Sequence, residues 1–216
     1  MEPLFLTLKV AAIATLAAFH IGILLAYLLA HSSLPGKKLV EAFLTLPMVL
    51  PPTVLGYYLI VFLGRNGWLG KWLNDWFGMS IMFTWQGAVL AASIVSLPLV
   101  MKSACAAFEN VDQTIENAAR TLGSSEVGIF FRISIPMAWR GILAGTLLAF
   151  ARAMGEFGAT LMIAGNLPGK TQTLPMAVYD AVQAGNDSLA GTLVVITSAA
   201  GIVILYLSGL LLEKNG

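Results

Sequence analysis

Arg152 and Glu156 stand four residues apart inside a long apolar run. At helical spacing they share a face and can pair. Charges inside a bilayer are costly unless paired or hydrated, so the pair points either to a path for a polar solute or to a structural ion pair. Arginine precedes glutamate, the weaker order for an exposed local pair, which favours a tertiary role. Gly169-Lys170-Thr171 ends like a phosphate loop, but the first glycine of that signature falls on Ala164 and the preceding element is apolar enough to be a membrane helix. His20 and His31 read as satisfied or interfacial side chains in and after the first apolar run. The single cysteine, Cys105, excludes an internal disulfide and reads as a buried structural thiol. No Ser/His/Asp set and no Cys/His cluster is apparent, so no catalytic residue, metal site or cofactor of the chain's own is expected, and Asp180 and Asp187 read as solvated. With a net charge of +1, no polyanionic partner is implied.

The elements that must hold these residues are membrane spans. The chain is 58% hydrophobic and 11% charged, about half the charged fraction of a soluble domain. Five segments reach the ~20 apolar residues needed to cross a bilayer. They lie at about 10–30, 44–63, 81–100, 142–164 and 189–212, in a single transmembrane domain over 1–216, with a polar loop at 101–141. The fold class expected is an all-α integral membrane protein. The first run lacks the short core and small-residue cleavage site of a signal peptide.

Lys37, Lys38, Lys102, Arg120, Arg132, Arg140 and Lys214 fall in one set of loops, Lys9, Arg65, Lys71 and Lys170 in the other. The richer set marks the cytoplasm, which puts the amino terminus outside and the carboxyl terminus inside. Leu46-Pro-Met-Val-Leu-Pro-Pro-Thr53 cannot be a regular helix, because its prolines remove donors and clash with earlier carbonyls. It reads as a packing kink or as a broken helix at the path, with Pro51 and Pro52 facing protein or a wet cavity. Trp68, Trp72 and Trp76 share a helical face, as a headgroup anchor or as a surface for an external protein. Gly141, Gly145, Ala149 and Ala153 form a small-residue stripe for helix packing. Arg152 lies roughly 24 Å past Pro136 at helical rise, well inside the bilayer. A short helix over 174–184 is expected above the outer mouth.

The longest polar interval is Val111 to Pro136. Ile115, Ala118, Ala119 and Leu122 recur at helical spacing, so one face is apolar and the other carries Glu116 and Arg120. Gly123 suits a positive-φ turn, Ser124 or Ser125 can cap a second short helix beginning at Glu126, and Pro136 closes the unit. Ala118-Ala119, Gly123 and Ile133-Ser-Ile-Pro136 resemble the EAA loop of ABC importer permeases, with Asn117 where that family has Glu and Ile135 where it has Leu. The stretches 150–160 and 163–175 are similar to those of molybdate permeases.

The resemblance implies the membrane subunit of an ATP-driven importer for molybdate or tungstate. It assigns Glu116, Asn117, Ala118, Ala119, Gly123, Ser124, Ser125 and Glu126 to coupling with two ATPase subunits, which would hold the ATP and Mg. It implies an external oxyanion-binding protein and a homodimer in the cell membrane. A path would run past Arg152, Glu156, Thr160, Pro51 and Pro52. A sulfate or other oxyanion permease is the alternative within the class; a passive channel or scaffold subunit is the alternative outside it.

Overall fold

The structure, a computed structural model, describes residues 2–32 and 35–213. Lys214, counted above for orientation, lies outside the described residues. Every regular element described is helical. The helices are α1 (Glu2–Ala30), α2 (Lys37–Val49), α3 (Pro52–Leu63), α4 (Trp68–Phe77), α5 (Trp85–Glu109), α6 (Gln113–Thr121), α7 (Glu126–Ile129), α8 (Ile135–Met154), α9 (Gly158–Ala164), α10 (Leu174–Gln183) and α11 (Asp187–Glu213).

Four helical stretches are long and apolar enough to span a bilayer: α1, α5, α11, and the run from α7 through α8. The pair α2–α3 makes a fifth if its 109° bend lies within one span. The bend has the cause the prolines predict. α2 ends at Val49, Leu50 and Pro51 are extended, and Pro52 opens α3, where a missing N–H costs nothing.

Small residues set the centre of the bundle. Gly22 of α1 lies so close to α5 that a Cβ there would sit 3.0 Å from the Val100 side chain. Cβ atoms on Gly141 and Gly145 would come within 2.5 Å of Ala107 and Ser103, so the stripe on α8 packs against α5 inside this one chain. Ala149 and Ala153 continue it and are buried. α11, by contrast, leaves Val194, Val195, Ile202, Val203 and Tyr206 exposed.

Several element limits differ from those expected. α5 runs on to Glu109, so the polar loop is shorter than 101–141. The span expected over 142–164 is two helices separated by Gly155, Glu156 and Phe157. Pro136 does not close the helical unit: α7 continues into α8 through a π-helical turn, Phe130–Ser134. The Ile135 N–H reaches back to the Phe130 carbonyl, and this wider turn admits a proline that would otherwise strain a continuous helix.

Candidate functional site

At one end of the bundle, α6 and α7 form a helix–Gly–helix platform. Asp112 starts α6 by accepting the Thr114 N–H at 2.8 Å, which holds its carboxyl below the usual carboxylate range. α6 ends in a Schellman turn. Gly123 takes φ 86°, its N–H donates to the Arg120 carbonyl at 3.0 Å, and the Ser124 N–H donates to the Ala119 carbonyl at 3.0 Å. Of the two serines, Ser125 is the cap: its Oγ accepts from the Gly128 N–H at 3.2 Å.

Arg120 bolts the platform together. Its Nε and Nη2 donate to the two oxygens of Glu126 at 2.7 and 3.0 Å, and its Nη1 donates to Asn117 Oδ1 at 2.8 Å. The Glu126 contact holds the guanidinium pKa above its usual value.

Spacing puts Glu116 and Arg120 on one face of α6 and the apolar residues on the other, and the structure decides which face meets the bundle: Glu116 is 1% exposed, whereas Ile115, Ala118 and Leu122 face outward, Leu122 at 86%. Glu116 turns inward because partners lie there. Its Oε1 accepts from Ser134 Oγ at 2.6 Å and its Oε2 lies 2.9 Å from His31 Nε2. Asn117, Ala118, Gly123, Ser124, Ser125 and Glu126 are exposed and Ala119 is half-buried. Sequence reasoning missed His31 and Ser134; His31 lies 85 residues from its partner, and no local pattern joins them.

The second charged locus is the break after α8. Arg152 Nη2 lies 2.8 Å from Glu156 Oε2, so the pair is local rather than tertiary. Glu156 is 3% exposed and also accepts the Ala159 N–H at 2.9 Å, satisfying a donor of the first turn of α9. Arg152 keeps 38% of its side chain exposed. Pro52 packs on Gly158, where a Cβ would approach within 2.4 Å of the proline ring. The break in α2–α3 therefore abuts the break between α8 and α9. Thr160 is buried on α9, and Phe157 stacks on Tyr179 of α10 at 5.2 Å. Thus the Arg152–Glu156 pair lies at the break that Pro52 abuts through Gly158, and Pro51 and Pro52 are both exposed.

Gly169-Lys170-Thr171 is a turn. Thr171 Oγ donates to the Gly165 carbonyl and accepts the Leu167 N–H, both at 3.1 Å, so the hydroxyl is occupied by its own loop. Trp68, Trp72 and Trp76 on α4 are all exposed, and Cys105 is buried.

Long apolar spans, with a charged break between helices and a stiffened platform at one end, are the build of a multi-pass membrane protein. Residues 20–215 match the model of the binding-protein-dependent transport system inner membrane components, and the chain belongs to that family. The molybdenum transport system permease protein ModB of Escherichia coli K12 is 45% identical over 208 residues, 96% of this chain and 91% of that protein. The sulfate transport system permease protein CysW of Synechococcus elongatus is 35% identical over 217 residues, covering 100% of this chain and 75% of that protein. A chain of the MetNI methionine ABC transporter in an inward-facing crystal form superposes with a TM-score of 0.74 at 17% identity, covering 98% of this chain and 94% of that one; it speaks for the fold alone.

Proposed function

We propose that this chain is the translocation subunit of an ATP-driven importer for molybdate or its tungstate analogue. The observation that carries the substrate is the 45% identity to a molybdenum permease along 96% of the chain. The geometry supports the mechanism. The platform exposes Ile115, Leu122 and Val127 at one end of the bundle, an apolar surface suited to a protein partner. Two ATPase subunits, which carry the ATP and Mg, dock there, through Asn117, Ala118, Gly123, Ser124, Ser125 and Glu126.

The lysine and arginine bias puts that end in the cytoplasm and the amino terminus outside. A binding protein delivers the oxyanion at the opposite end, beside α10. Two copies of the chain enclose the path on a two-fold axis in the cell membrane. Arg152, offset by Glu156, makes the path weakly attractive to a dianion, so the ion passes without being trapped. Thr160, Pro51 and Pro52 flank it. Closure of the ATPases moves the platform and switches the spans between outward- and inward-facing states.

The 35% identity to a sulfate permease over the whole chain favours sulfate as the second reading. Proteoliposomes holding this subunit, its ATPase and its binding protein separate the two. ATP-dependent molybdate uptake that excess sulfate leaves intact is the expected result. Sulfate uptake corrects the substrate, and flux without ATP overturns the importer.

A further inference from the structure

We propose that Glu116 is the positioning residue that makes α6 move as one body with α1 and α8, so that force on the platform reaches the Arg152–Glu156 break. The inference rests on the transport reading above. α6 has nine residues, and Glu116 is its one buried side chain. A helix that short is not stable alone, and its apolar residues Ile115 and Ala118 point away from the bundle. Beyond its chain connections, α6 is held by the exposed Arg120–Glu126 pair to α7 and, at its single buried side chain, by the Glu116 carboxylate.

That carboxylate joins three elements. Ser134 donates to it at 2.6 Å from the last residue of the π turn that opens α8. His31 meets it at 2.9 Å from just past the end of α1. Arg120, one turn on along α6, lies 3.7 Å away and spreads its remaining donors over Glu126 and Asn117. The histidine is itself fixed. Its Nδ1 faces the Tyr27 carbonyl at 3.1 Å and its ring packs on Tyr27 at 4.2 Å. Its two ring nitrogens thus face two oxygens, the Tyr27 carbonyl on one side and the Glu116 carboxylate on the other. Tyr27 in turn packs edge-on to Phe108 of α5 and Phe130 of the π turn. The brace sits on an aromatic cluster that already ties those spans together.

From Ser134, α8 runs as one helix of twenty residues to Met154, about 30 Å at helical rise. Its far end is the break that holds Arg152 and Glu156. A displacement of α6 that Glu116 passes to Ser134 is delivered there by a stiff rod. Without the carboxylate, the outward docking surface persists, but α6 tilts independently of α8.

The test is the ratio of molybdate taken up to ATP hydrolysed by the reconstituted complex. Glu116→Ala lowers that ratio about tenfold, within the range of site-to-site coupling. Glu116→Gln, which keeps an acceptor for Ser134 and loses the charge facing His31, recovers part of it, and Ser134→Ala lowers it in the same direction by less. A role confined to folding or to ATPase contact reduces uptake and hydrolysis together and leaves the ratio unchanged. An unchanged ratio in Glu116→Gln and Ser134→Ala overturns the proposal, whether or not Glu116→Ala assembles. A wild-type complex that takes up neither molybdate nor sulfate overturns the transport reading first, and the brace with it.

Discussion

Among the described residues two glutamates are buried, Glu116 and Glu156, and each has an arginine four residues away. Glu156 solves a local problem. It pairs with Arg152 one turn back and caps a first-turn N–H of α9 one turn on, all between residues 152 and 159. Glu116 solves a distant one. It leans little on Arg120, at 3.7 Å, and takes its close partners from residues 31 and 134. The same motif therefore makes a joint in one place and a brace in the other. Which it becomes depends on where the helix ends. After Met154 the backbone breaks, leaving free donors for a carboxylate to satisfy, whereas α6 continues past Glu116 and the carboxylate is left to reach across the fold.

The largest effect is expected at the joint. Arg152→Gln keeps a donor near Glu156 but removes the positive charge, and uptake falls by roughly a hundredfold if the pair lines the path. Size-exclusion and uptake measurements on the same sample check it, and normal uptake would make the pair purely structural. Gly123→Val strikes the platform through the backbone alone, since a Cβ there meets nothing within 4 Å. A β-branched residue at φ 86° weakens ATPase binding about tenfold, while Gly123→Asn, which tolerates that conformation, changes it far less. Equal loss in both variants, in a pull-down with the ATPase, would shift the cause from conformation to contact.

A smaller effect separates the two roles of Glu156. Glu156→Ala leaves the Ala159 N–H and the Arg152 guanidinium without their acceptor and lowers stability by about 1–3 kcal/mol. Glu156→Gln keeps the N–H bond and loses less; thermal unfolding in detergent reads the order, and identical losses would assign the whole effect to the ion pair. The smallest effect belongs to Asp112. Its carboxyl is held below the usual range by Thr114, so its stabilisation of α6 is present above that range and lost as pH falls through the lowered value. The difference between wild type and Asp112→Ala should be largest near about pH 7 and vanish in acid. A difference that stays constant with pH would remove the carboxylate from the cap.

Much of this was legible in the residues. Hydropathy marked the spans, because burying a run of about twenty apolar side chains in lipid is favourable wherever the run lies. Pro51 and Pro52 marked the break in α2–α3, since the ring and the missing N–H act on the immediate backbone. Gly123 and Ser125 marked the platform for the same local reason. The orientation of α6 was not legible, because periodicity says which residues share a face but not which face meets protein. With Ile115 and Leu122 turned to a surface suited to a partner, the apolar side of that helix points out.

The continuation through Pro136 and the break at Glu156 were also beyond the pattern. The first depends on a π turn that widens the helix ahead of the proline, and the second lies where Pro52 of another element packs on Gly158. The sequence by itself determined spans, kinks and caps, whose free energies are settled within a few residues of chain. Only the tertiary structure decided that Glu116 is a buried brace, because its stability depends on a hydroxyl and an imidazole that folding brings from two other helices.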